Sequence, residues 1–90
     1  MVEKTATIIN PLGIHARPAA LLVQAAAQFT ANIYFSKGDV DQVNGKSIMG
    51  VMMLAAEQGA QVTVMAEGED AAAAVEELVA LLQSNFEEQS

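Results

Sequence analysis

A chain of 90 residues without a single cysteine must hold its fold by packing alone, because the disulfides and thiolate metal clusters that support many very small domains are closed to it. Two cores of half this length would bury too little apolar surface to offset chain entropy, so one domain spanning residues 1–90 is expected. Apolar residues make up 52% of the chain, yet no apolar run approaches the ~20 residues that cross a bilayer. The opening residues Met1-Val2-Glu3-Lys4-Thr5 lack the basic segment, apolar stretch and small-residue cleavage site of a secretory signal. A cytoplasmic protein with no membrane insertion is expected.

The formal net charge is −7, with Lys4, Arg17, Lys37 and Lys46 the only Lys and Arg residues. Such a surface repels nucleic acid and anionic membranes. Without thiolates, and with a single histidine, a metal site is not expected. Each cation is informative when there are so few, and Arg17 stands two residues from His15, the only histidine.

Two periodicities alternate along the chain. Thr5 to Ile9 alternates with Ala6 and Ile8 on one face, as in a half-buried strand. Asn10-Pro11-Leu12-Gly13 has the residues of a type I turn. A helix is expected from Ala16 to Gln28, with Ala19, Leu22, Ala26 and Phe29 on its buried face. Pro18 fits this helix only within the first turn, where a missing N–H costs little, which places His15 at or beside the N-cap. Asn32 to Ser36 and Val40 to Val43, separated by Lys37-Gly38-Asp39, read as a hairpin.

Ser47 is a good N-cap for a helix from Ile48 to about Glu57, closed by Gly59. Gln61 to Ala66 alternates as the last strand, ended by Gly68. Glu69 and Asp70 place negative charge at the start of a final helix whose apolar stripe is Val75, Leu78, Val79, Leu82 and Phe86. Glu87 to Ser90 is expected to fray. The order βαββαβα implies an α+β fold: an open-faced β-sandwich, with a four-stranded antiparallel sheet covered on one face by three helices.

Gly13-Ile14-His15-Ala16-Arg17-Pro18 puts an imidazole where the free N–H groups of a helix's first turn converge, which is an anion site. A phosphoryl group on the ring would receive hydrogen bonds from the Ala16 and Arg17 amides, and the Arg17 guanidinium could pair with its oxygens. The same spacing suits a histidine that merely caps a helix beside a solvated arginine, and it does not separate the two readings. Ser47 is likewise a simple N-cap or a hydroxyl where added phosphate would meet favourable amides. The apolar stretch Ile48, Met49, Val51, Met52, Met53 and Leu54 is too wide for one buried stripe. Ile48, Met49 and Met52 are therefore candidates for an outward docking surface, or else for core filling.

At these residues the chain resembles the HPr family of histidine-containing phosphocarriers of the bacterial phosphoenolpyruvate-dependent sugar phosphotransferase system. Gly-Ile-His-Ala-Arg-Pro-Ala at 13–19 is similar to its active-site signature, and Lys-Ser-Ile-Met-Gly-Val-Met at 46–52 to its regulatory serine segment. The resemblance runs nearly end to end. It implies an HPr-like fold in which His15 is phosphorylated on Nδ1 by enzyme I, itself charged from phosphoenolpyruvate, and donates to the IIA domain of a sugar permease with Arg17 assisting. The chain would then be a transient carrier, monomeric and without cofactor, rather than a stand-alone catalyst.

The resemblance also implies that HPr kinase/phosphorylase can phosphorylate Ser47, weakening carrier function, and that a transcription regulator can be a partner. Asn10-Pro11-Leu12 resembles proteobacterial members, including the nitrogen-branch paralogue NPr. Two other classes fit parts of the pattern: a regulatory docking module gated at Ser47, and a small acyl-phosphate hydrolase using Arg17. A histidine at the centre of the anion site favours covalent capture over hydrolysis.

Overall fold

Alternating apolar residues place the segment Gln61–Glu67 at the middle of a sheet: Val62, Val64 and Ala66 are buried on one face, and Met65 is buried even on the other. The computed structural model describes residues 1–84 and 86. It contains strands β1 (Val2–Thr7), β2 (Asn32–Lys37), β3 (Val40–Asn44) and β4 (Gln61–Glu67), with helices α1 (Ala16–Ala26), α2 (Ile48–Met53) and α3 (Ala71–Leu82). The order is the expected βαββαβα. The strands form one antiparallel sheet in the order β1-β4-β2-β3.

Helix α3 lies along β1, β4 and β2, α2 lies against β3, and α1 packs on both α2 and α3. Ala6, Ile33, Phe35, Val62 and Val64 from the sheet join Leu22, Val51, Leu54, Val75, Leu78 and Leu82 from the helical side in one buried cluster. Burying each large member contributes about 1.5–3 kcal/mol, which is how a chain without cross-links holds together. The opposite face is more polar: Thr5 pairs with Thr63 across β1 and β4, and their hydroxyls meet at 3.1 Å.

Several boundaries differ from the sequence reading. The first strand begins at Val2 rather than Thr5 and its ladder ends at Thr7, although the Ile8 N–H still donates to the Ala60 carbonyl at 2.9 Å. Lys4 had masked the earlier start. It sits on the helical side of an edge strand and its long stem carries the ammonium out to an ion pair with Glu76 of α3. Helix α1 stops at Ala26 rather than Gln28, because Gln28 and Phe29 bond back only three residues, to Ala25 and Ala26, tightening the last turn.

Helix α2 is shorter than expected, ending at Met53 instead of near Glu57. Leu54 and Ala55 bond back to Val51 and Met52, and Ala55 takes a left-handed conformation (φ 49°) that turns the chain and lets Ala56 enter the core. Gly59 therefore does not close the helix; its N–H donates to the Ile8 carbonyl at 2.8 Å and ties the start of β4 to β1. The β2–β3 pairing shifts register between Phe35 and Lys37. Ser36 stitches this irregularity, donating to Asp41 Oδ1 and accepting from the Gln42 N–H.

Phe86 lies beyond the end of α3, not on its helical stripe, but is only 2% exposed. Ser84 accompanies the turn, its hydroxyl donating to the Leu81 carbonyl and accepting from the Phe86 N–H. The expected fraying of residues 87–90 falls outside the described residues.

Asp70 does more than add charge to the start of α3. Its two carboxylate oxygens accept from the Thr30 and Ala31 N–H groups, both at 2.8 Å, joining the chain before β2 to the start of α3. The Thr30 amide above all, and the Ala31 amide with it, hold the Asp70 carboxyl below the usual aspartate range, while partial desolvation works against them. A lowered native pKa means that this contribution is complete above the unfolded-state value and is lost as pH falls through the native one. Thermal melts between pH 7 and pH 2 should therefore show Asp70→Asn destabilised most at neutral pH, with its deficit shrinking below about pH 4. A deficit unchanged with pH would contradict this reading.

Candidate functional site

The turn at residues 10–13 forms as its residue types demand. Gly13 N–H donates to the Asn10 carbonyl at 2.9 Å, and the buried Asn10 side chain donates from Nδ2 to the Gly13 carbonyl at 2.8 Å. Gly13 is left-handed (φ 69°), and a Cβ there would stand 2.4 Å from the Ala56 carbonyl oxygen. One residue later the Ile14 N–H donates to that same oxygen at 2.8 Å, and the Ile14 side chain enters the core. The approach to α1 is thus clamped against the segment that follows α2.

His15 is the N-cap of α1, in extended conformation (φ −97°, ψ −166°), and its carbonyl accepts the first helical bond from Ala19 at 2.9 Å. His15 is half-buried, and its Nε2 is shielded from solvent. Pro18 occupies the third helical position and has no N–H, so the amides of Ala16 and Arg17 form the donor pair of the first turn. Arg17 is exposed, and among the described residues its guanidinium makes no ion pair. The other three cations are engaged: Lys4 with Glu76, Lys37 with Glu57 and the Ala55 carbonyl, Lys46 with the Phe29 carbonyl at 2.7 Å.

Ser47 is the N-cap of α2, its Oγ accepting from the Gly50 N–H at 3.2 Å. The helix turns Val51 and Leu54 inward and leaves Ile48, Met49, Met52 and Met53 outward, Met49 being 75% exposed. Ile48, Met49 and Met52, the residues expected on an outward docking surface, are thus exposed rather than used as core filling. Met53 of α2 and Leu12 of the turn are exposed as well, and the sequence reading had singled out neither.

Asn10 and the Ala56 carbonyl were also missed as site components. The turn signal was visible at Asn10, but its burial was not, and a backbone carbonyl carries no sequence signature. Among the described residues there is no group of acidic, histidine or cysteine side chains able to hold a metal ion, and no helix is long and apolar enough to cross a membrane.

Comparison with known proteins agrees with this geometry. Residues 2–84 match the family model PTS-HPr, described as the PTS HPr component phosphorylation site. The phosphocarrier protein HPr of Treponema pallidum (strain Nichols) is 47% identical over 89 residues, covering 99% of this chain and 100% of the relative. Among solved structures, HPr-C-His from Thermoanaerobacter tengcongensis superposes with a TM-score of 0.90 at 47% identity, covering all of both chains. Bacillus subtilis Crh, whose crystal structure is described as a swapping-domain dimer, superposes at 0.74 with 44% identity, covering 94% of this chain and 97% of the other. A one-sheet, three-helix fold, the His15 segment at a helix start and matches over nearly the whole length leave one assignment: this chain belongs to the HPr phosphocarrier family.

Proposed function

We propose that this chain accepts a phosphoryl group on His15 from enzyme I and passes it to a IIA domain of a sugar permease, acting in the cytoplasm as a single domain. The observation that carries this reading is the placement of His15 as N-cap of α1, beside the Ala16 and Arg17 amides and clamped through Gly13 and Ile14 to Ala56. Nδ1 is the acceptor, because Nε2 is enclosed. The N–P bond forms there as the bond from phosphorus to the donor group of enzyme I breaks. The two amides and the Arg17 guanidinium share the charge on the phosphate oxygens. The same steps run in reverse order onto the IIA acceptor. No metal or cofactor takes part.

Incubation with enzyme I and phosphoenolpyruvate should attach one acid-labile, alkali-stable phosphoryl group per chain; an unlabelled chain, or an acid-stable label, would contradict the carrier reading. The sugar branch is favoured over NPr because the relatives that match along the full length carry the name HPr. A monomer is the state expected of this carrier, and sedimentation separates it from a dimer of the kind described for Crh.

Ser47 is the regulatory site in this reading, phosphorylated by HPr kinase/phosphorylase, and the phosphorylated form is available to a transcription regulator. Its hydroxyl caps α2 directly before exposed Ile48 and Met49, so added charge falls on the docking surface and costs enzyme I desolvation or repulsion. Ser47→Asp should slow phosphorylation by enzyme I about tenfold or more, whereas Ser47→Ala should lose about 1 kcal/mol of cap stability and transfer at nearly the normal rate. Equal rates for both variants would remove Ser47 from regulation.

A further inference from the structure

The clamp on His15 has a second layer on the far side of the Ala55–Glu57 segment. Lys37, at the end of β2, has a side chain only 22% exposed, and its Nζ donates to the Ala55 carbonyl at 3.1 Å and pairs with Glu57 Oε1 at 3.3 Å. Between these two attachment points lies Ala56, whose carbonyl accepts the Ile14 N–H at 2.8 Å and faces the missing Cβ of Gly13. Ala55 is left-handed without being glycine, a conformation that persists only where its surroundings hold it. Its carbonyl lies just past the C-terminal end of α2, where a cation is favourably placed. The β2–β3 register shifts between Phe35 and Lys37.

We propose that Lys37 is a positioning residue for phosphoryl transfer at His15, acting through Ala55, Ala56 and Ile14 rather than by touching phosphate. The proposal rests on the carrier reading for its rate consequence and on geometry alone for its structural one. Removing the ammonium releases the Ala55–Glu57 segment, loosens the Ile14–Ala56 bond and lets the His15 backbone sample orientations in which the Ala16 and Arg17 amides no longer converge on the acceptor nitrogen. Such a loss lowers kcat, because the geometry matters in the transition state, and leaves KM for enzyme I little changed.

The test compares Lys37→Met, which keeps the apolar stem, with Lys37→Arg, which restores a cation, and with Glu57→Gln, which removes only the exposed partner. Amide hydrogen exchange and phosphorylation by enzyme I are both measured. Lys37→Met should raise Ile14 exchange about tenfold, leave the Ile8 amide protected, and lower kcat about three- to tenfold at constant KM. Lys37→Arg should recover most of both effects, and Glu57→Gln should show a smaller change in the same direction. Unchanged Ile14 exchange in Lys37→Met would overturn the proposal, as would a rate loss confined to KM, which would make Lys37 a direct contact of enzyme I. If the unaltered chain takes no phosphate at all, the carrier reading fails, and Ile14 exchange still decides whether Lys37 holds the loop.

Discussion

Gly13→Ala is expected to destabilise the fold by about 2–4 kcal/mol, combining the cost of a left-handed non-glycine residue with overpacking at a rigid contact. The added Cβ would lie 2.4 Å from the Ala56 carbonyl oxygen and 2.9 Å from Glu57 Cα, both backbone atoms that no rotamer change can move. Relief requires separating the turn before α1 from the segment after α2, and that breaks the 2.8 Å bond from Ile14 to Ala56. For a domain of this size the melting temperature should fall on the order of 15 °C. The same displacement shifts His15, so phosphoryl acceptance should drop even at temperatures where the variant remains folded. A melting temperature within a few degrees of the unaltered chain would show that the Gly13–Ala56 approach is not rigid.

The second large effect divides the work of His15 from that of Arg17. His15 is the only histidine, so His15→Ala should abolish the acid-labile phosphate completely, since no other imidazole can substitute. Arg17→Met keeps the imidazole and the helix but removes the proposed charge-assisted partner of the phosphate, an interaction of roughly 1.5–3 kcal/mol. Transfer should therefore fall about 10- to 100-fold without being lost. Arg17 is exposed and forms no ion pair with any described residue, so the melting temperature should move little. Arg17→Lys should recover only part of the rate, because an ammonium lacks the planar fork that matches two phosphate oxygens. Full activity in Arg17→Met would leave the backbone amides as the whole of the anion site.

The sheet, the helices and the His15 segment were legible because each rests on a local rule. Alternation marked β4, Pro18 fixed where α1 could begin, and Asn10 through Gly13 spelled out a turn. What stayed hidden depends on contacts between residues far apart in the chain. The end of α2 is set by the need to deliver Leu54 and Ala56 to the core, which makes Ala55 left-handed against its own preference. Nothing around Lys4 announces a strand, because the residue that accommodates its charge is Glu76, 72 positions later. The contacts of Lys37 with Ala55 and Glu57 join the end of β2 to the segment after α2, and no local motif announces them.

The outward face of α2 shows the limit from the other side. Width of the apolar stretch indicated that part of it must be exposed, and Val51 and Leu54 turned inward while Met49 and Met52 turned outward. Leu12 is exposed because the turn holds it out of the core, a property of the fold rather than of any motif.

The most direct test of the account is nitrogen-15 and phosphorus-31 NMR of the chain after phosphorylation by enzyme I. The shielding of Nε2 and the place of the Ala16 and Arg17 amides directly after the His15 cap predict a single phosphoryl group on Nδ1 of His15, with the largest amide shifts at residues 16 and 17. Phosphate on Nε2, on any other residue, or amide shifts that bypass the start of α1 would contradict it.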